Sequence, residues 1–254
     1  MRLIAMALLV FLSGCGPKEG VSITSAPLEE KQITVVRSFD PESAGTLKGV
    51  VKFDGEAPAS KKIPIRGNPE CSVFHVGGQV DSEELLTKDG ALQNIFVYIK
   101  EGLEGMTFDT PAESVTVSNK KCVYVPHVSG IRVGQPLILL NEDPTLHNIH
   151  SYSKNSQAFN IGLPFQGVKQ TKKFTKPEVM VTLKCDVHPW MIGYLGVLEH
   201  PYFGVTGQDG VFELKNLPPG EYLVEAWHEK LGVQSQKITI EPRGTKEIEF
   251  RFTV

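Results

Sequence analysis

What most constrains this chain is its rhythm: beyond Thr46, short runs rich in Val, Ile, Phe and Tyr recur, each bounded by Gly, Pro, Asn or Asp. Runs of that length and composition are strands punctuated by turns. They fall at 47–53, 94–99, 114–117, 136–141, 179–183, 194–198, 211–214, 222–227, 237–240 and 247–252. No 3.6-residue apolar period persists for a dozen residues, which leaves room only for short helices, with 82–86 and 157–161 as the places for them. Strands without a helical layer must bury their faces against one another. The expectation is an all-β fold built from two packed β-sandwiches.

The first residues follow other rules. Met1-Arg2 precedes an apolar stretch from Leu3 to Leu12 and then Ser13-Gly14-Cys15. A positive start and about ten apolar residues make a signal peptide, since a membrane span needs about twenty. The ending Leu12-Ser13-Gly14-Cys15 resembles the lipobox of bacterial lipoproteins, which implies that Cys15 carries lipid and becomes the new N-terminus. Residues 1–15 are therefore read as a lipoprotein signal ending in its lipobox cysteine, and 16–45 as a flexible tether of Gly, Pro, Ser and charge. The expected location is exported, lipid-anchored to a bacterial membrane and facing periplasm or cell exterior. A formal charge of −3 argues against a nucleic-acid partner.

The C-terminal region has a grammar of its own. The turn Thr206-Gly207-Gln208-Asp209-Gly210 leads into Val211-Phe212-Glu213-Leu214, and the turn Leu217-Pro218-Pro219-Gly220 leads into Tyr222-Leu223-Val224. Strand, Pro-Pro-Gly turn and strand resemble the carboxypeptidase-regulatory-like (transthyretin-like) sandwich. The piece is too short to complete that sandwich, and the Gly49 to Gly55 segment resembles its first strand. The reading is one sandwich made of residues 46–110 and 201–254, interrupted by an inserted domain at 111–200; a plain tandem arrangement is the alternative.

The inserted segment carries the chemistry. A site that cycles copper between two oxidation states with little rearrangement wants two imidazoles and a thiolate in a trigonal set, with a weak axial thioether. Cys185-Asp186-Val187-His188-Pro189-Trp190-Met191 supplies thiolate, imidazole and thioether. Leu146-His147-Asn148, after the run 136–141 and a turn, supplies a second imidazole. Thioether is a poor zinc ligand, a dinuclear copper centre needs a second loop cysteine, and copper oxidases need further paired histidines. The chain is not expected to be an enzyme.

With these residues in view, residues 114–199 resemble the cupredoxin family of amicyanin and plastocyanin type. The ligand loop has the same spacing and a proline after its histidine, and Met191-Ile192-Gly193-Tyr194-Leu195-Gly196-Val197 is similar to the family's closing strand, with Leu195 where valine is usual. The resemblance implies a Greek-key sandwich holding one type 1 copper, with His147, Cys185 and His188 equatorial and Met191 axial. Asn148 would tie the two ligand-bearing loops together, and Pro189 and Trp190 would supply the apolar patch where a partner docks. His150 departs from the family pattern and leaves open which histidine is the ligand. The implied function is one-electron transfer with a redox partner such as a c-type cytochrome or a dehydrogenase. The alternative is a copper carrier or scavenger lipoprotein without a redox role.

Two cysteines then remain. With Cys15 committed to lipid and Cys185 to metal, Cys71 and Cys122 form a natural pair, and an oxidising compartment favours their disulfide. A second metal site from Cys71, His75, Cys122 and His127 stays open as the alternative. His127, His200 and His228 read as structural histidines, and Lys169, Lys172, Lys173 and Lys176 as a solvated strand face able to steer an acidic partner.

Overall fold

The computed structural model describes residues 39–65 and 67–254. The signal segment, Cys15 and the tether up to residue 38 lie outside the described residues. Among the described residues no helix is long and apolar enough to cross a membrane.

Alternation of apolar and polar side chains sorts the strands into two sandwiches. In Val211–Leu217, Phe212, Leu214 and Leu217 face inward while Glu213 and Lys215 point to water. That strand pairs antiparallel with Gly45–Phe53, which on its other side pairs parallel with Thr245–Phe252 from Thr46↔Thr245 to Phe53↔Phe252. The facing sheet runs Phe203–Val205, Phe96–Glu101, Gly220–His228, Gly232–Ile240. Leu47, Val51 and Phe53 meet Val97, Val224 and Ile240 in the core between them. The first described strand thus lies beside the last, and this sandwich draws on segments far apart among the described residues. At the Asp209-Gly210 turn, φ of +69° and a carbonyl of Val51 only 2.5 Å from where a Cβ would stand require glycine.

The second sandwich lies between residues 115 and 198. One sheet holds Lys169–Lys172, Leu137–Asn141, Val115–Lys120 and Val123–Val125; the other holds Asn160–Leu163, His147–Ser151, Glu178–Lys184, Ile192–Leu198 and Val128–Arg132. Its core gathers Val117, Leu137, Leu139, Ile149, Val181 and Leu195. All-β is therefore the observed class.

Three differences from the sequence reading have physical reasons. Residues 82–86 and 157–161 form no helix, because each enters a strand pairing soon after: Thr87–Lys88 and Asn160–Leu163. The one α-helix among the described residues, Pro69–Ser72, is a single turn opened by proline at its first position. Finally, not all of 46–110 serves the first sandwich. Lys62–Pro64 and Gln79–Asp81 pair only with each other, and Ile65, Cys71 and Val80 bury themselves in the second core. Sequence adjacency suggested the first sandwich, and apolar contact with the second decided otherwise.

The two sandwiches meet through aromatic rings laid on glycine. Gly130 and Gly196 pair across the parallel strands Val128–Arg132 and Ile192–Leu198. Phe96 and Phe203 of the first sandwich, with ring centroids 5.6 Å apart, occupy the space a side chain would need there. Beside this joint, His127 Nε2 lies 2.5 Å from a Glu229 carboxylate oxygen, and its Nδ1 lies 3.7 Å from Glu83. His127 is therefore a buried structural histidine. Burial works against its protonation, yet the hydrogen bond to Glu229 and the two carboxylate charges outweigh it and hold the imidazole above its ordinary pKa. Burial likewise works against the Glu229 carboxylate, and His127 outweighs it, holding Glu229 below its ordinary value.

A pH dependence follows. The raised imidazole contributes stability that is fully present below its unfolded value of 6.5 and lost as pH rises through the folded value. The depressed carboxylate contributes stability present above its unfolded value of 4.5 and lost as pH falls through the folded value. His127→Gln should therefore cost roughly 1.5–3 kcal/mol near pH 5.5, the range for hydrogen bonds to charged groups, and less at pH 9. Urea unfolding at the two pH values measures it, and an equal cost at both would contradict the assignment.

Candidate metal centre

Each ligand candidate stands at the end of a strand, where backbone pairing fixes the Cα and leaves the side chain free to converge on a neighbour. His147 opens His147–Ser151, Cys185 follows Glu178–Lys184 directly, and His188 and Met191 lie in the short link before Ile192–Leu198. That link is closed on itself by Cys185 N–H to Met191 O at 3.2 Å and Met191 N–H to His188 O at 2.9 Å. The structure brings His147, Cys185 and His188 together. Their donor atoms all lie within 4.8 Å of one another. His147 Nδ1 and His188 Nδ1 are 2.9 Å apart, and Cys185 Sγ is 3.8 Å from His188 Nδ1. Bonds of about 2.0 Å to imidazole and about 2.3 Å to thiolate place such donors roughly 3–4 Å apart, so the triangle fits one soft or borderline metal ion. Met191 is 1% exposed and belongs to the same core as Cys185.

The electrostatics prepare the donors. Burial pushes the Cys185 thiol up, but hydrogen bonds from His147, His188 and the backbone at Asn148 and His188 prevail and bring it down to about 6. At neutral pH the sulfur is therefore largely thiolate, the form that binds metal. Burial also opposes protonation of His147, and its bonds to Asp143 and Cys185 outweigh that and raise it.

Asn148 occupies the position expected of a tie between loops. Its Oδ1 accepts Asp186 N–H at 2.7 Å and lies 3.2 Å from Cys185 Sγ, while its Nδ2 donates to Asn160 and Asp186. Tyr124 O–H fixes the Asn148 carbonyl at 2.6 Å. His150 takes no part in the triangle: its Nδ1 faces Asp186 at 3.2 Å and its ring stacks on Tyr152. Cys71 and Cys122 are joined by a disulfide, which removes the second metal site as an alternative, and His75 instead contacts the Lys121 carbonyl. His200 and His228 stay structural, both brought down to about 4, chiefly by burial. Pro189 is exposed, whereas Trp190 is only half-exposed and donates its indole N–H to the Cys122 carbonyl at 2.9 Å. His188, by contrast, is only 3% exposed.

Sequence reasoning missed Asp143. This buried carboxylate meets His147 Nε2 at 3.0 Å and accepts the N–H groups of Lys121 and Cys122. Burial disfavours its charge, and these bonds more than compensate, holding it below the usual carboxylate range. A carboxylate behind a ligating imidazole fixes the tautomer and raises the basicity of the other nitrogen. The available signal was Asp143 in a polar turn four residues before His147, which Asn141 shapes by accepting Asp143 N–H. Asp143→Asn should weaken copper(II) affinity by roughly 10–100-fold while the thiolate stays in place. Competitive chelator titration measures this, and unchanged affinity would rule out the role.

No protein-family model matches this chain, and no curated protein sequence does. Its neighbours among solved structures are cupredoxins. A copper-containing nitrite reductase from Thermus scotoductus is 26% identical over 35% of this chain and 23% of its own length, with a TM-score of 0.32. Amicyanin from Paracoccus versutus is 23% identical over 35% of this chain and 85% of its own, with a TM-score of 0.30. A purple cupredoxin from Nitrosopumilus maritimus is 24% identical over 32% of this chain and 97% of its own, with a TM-score of 0.28. The chain thus spans under a quarter of the nitrite reductase's length.

Proposed function

We propose that this chain is an exported, lipid-anchored blue copper protein that carries single electrons. One copper ion would be held by His147, Cys185, His188 and Met191, and Cys15 would anchor the chain to a membrane. The observation that carries the reading is the buried triangle of two imidazole nitrogens and a thiol brought down to about 6. Thiolate and thioether suit the reduced ion and imidazoles suit both states, so bound copper would supply a one-electron couple.

The chain's own part is to keep those donors still. Asp143 clamps His147 from behind, Asn148 locks the cysteine loop to the histidine strand, and the closed 185–191 link fixes His188 and Met191. Donors that do not move between oxidation states limit reorganisation, which favours outer-sphere transfer to a protein partner such as a c-type cytochrome or dehydrogenase. Near-complete burial of all four side chains favours retention of the ion over its delivery to an acceptor. Titration with copper(II), followed by visible absorption and electron paramagnetic resonance, tests the reading. One equivalent should give an intense thiolate-to-copper band with a narrow parallel hyperfine splitting. A pale protein with wide splitting would overturn it.

A further inference from the structure

His188 is covered from outside by a small excursion of the chain. Its Nδ1 faces the donor triangle, while its Nε2 lies 3.6 Å from Cys71 Sγ, one sulfur of the disulfide. Cys71 and Cys122 have no exposed surface, and His188 keeps 3% of its own. The covering residues, 67–78, contain the single helical turn Pro69–Ser72 and spring from the isolated strand pair Lys62–Pro64 and Gln79–Asp81. No larger sheet holds this excursion. Its tip is fixed by the Cys71–Cys122 bond and by His75 against the Lys121 carbonyl, while Val73 and Val76 project into solvent at 77% and 104% exposure.

A segment with so little buried apolar surface opens locally at low cost once its covalent tie is gone. The partner half of the tie stays behind, because Cys122 N–H is bonded to Asp143 and the Cys122 carbonyl accepts from Trp190. We propose that the Cys71–Cys122 disulfide is a latch open to thiol–disulfide exchange, and that its reduction by an external dithiol lifts residues 67–78 off His188. The inference rests on His188 as a ligand of the proposed centre and identifies what controls access to it. The exchange balances as follows: the Cys71–Cys122 bond breaks, its sulfurs take up two electrons and two protons, and the dithiol becomes a disulfide. Attack by the dithiol uses transient fraying of 67–78. The Cys185 thiolate is not consumed.

The test uses metal-free full chain, so that it reads the cover independently of any copper. Carbethoxylation by diethyl pyrocarbonate is followed residue by residue by mass spectrometry, with partly exposed His150 as the internal reference. In the oxidised protein His188 should react far more slowly than His150. After dithiothreitol, or in Cys71→Ala/Cys122→Ala, its rate should rise by about tenfold or more, as expected for a side chain whose cover no longer closes off a local opening equilibrium. Amide-exchange protection of Gly220–His228 in the other sandwich shows that the fold persists. If the double variant loses that protection, reduced wild-type protein decides alone. A His188 rate unchanged by reduction, or equal to that of His150 while the bond is intact, overturns the latch. Failure to form a blue centre would overturn the copper reading and leave these rates as they are.

Discussion

Cys185→Ser protein given copper(II) is expected to show no intense visible band, whereas the wild type is expected to turn deep blue. The band needs a thiolate bonded to the metal, and Cys185 supplies the sulfur of the donor triangle. A serine hydroxyl in the same place stays protonated, because the imidazole hydrogen bonds that bring a thiol from 9.0 to about 6 act on a far weaker acid. Two histidines remain, so weak copper binding should persist with wide hyperfine splitting. Met191→Gln should do the opposite, keeping the colour and lowering the reduction potential, because an amide oxygen favours the oxidised ion more than a thioether does. Absorption and resonance spectra of the two variants, with redox titration of the second, settle the roles. A blue Cys185→Ser protein would remove the thiolate from the account.

Gly196→Val should be the most destabilising single change at the joint between the sandwiches. A Cβ at Gly196 would stand 2.3 Å from Phe96 Cζ and within 2.8 Å of two further ring atoms. Phe96 cannot retreat easily. It has no exposed surface and stacks on Phe203, whose ring in turn lies 2.4 Å from where a Gly130 side chain would begin. Overpacking of this kind costs about 1–3 kcal/mol and occasionally more, and the two rings share one floor, which places the expected cost at about 3 kcal/mol or above. Gly204→Ala is the matched control, since the nearest atom to its Cβ would be Leu214 Cδ2 at 3.7 Å, an ordinary contact. Urea midpoints of the two variants make the comparison. Equal losses would mean that the glycine floor does not set the joint.

How much of this was legible beforehand depended on whether the signal is local. All ten apolar runs lie on strands, because period-two alternation is written residue by residue. Lys169–Lys172 was legible only as a basic strand face and not as an apolar run, since a polar edge strand with nearly every side chain in water carries no alternation. The missed His147–Ser151 begins with a candidate ligand and the polar Asn148, both buried at the donor cluster, so that it shows no apolar alternation at its start. Residues 62–81 were placed with the wrong sandwich for a related reason: Ile65, Cys71 and Val80 are isolated apolar positions whose destination is not encoded in their neighbours.

The sequence by itself determined the β class and the candidate donor types, two imidazoles, a thiolate and a thioether. Strand period and the spacing Cys185, His188, Met191 are properties of adjacent residues, and they constrain backbone and chemistry directly. Only the tertiary structure decided what stands behind and over those donors. Asp143 backs His147, the Cys71 sulfur closes on His188, and a pair of glycines receives two rings from the other sandwich. Each of these contacts depends on which faces pack together, and the side chain that fills a space beside a ligand is chosen by that packing rather than by position along the chain.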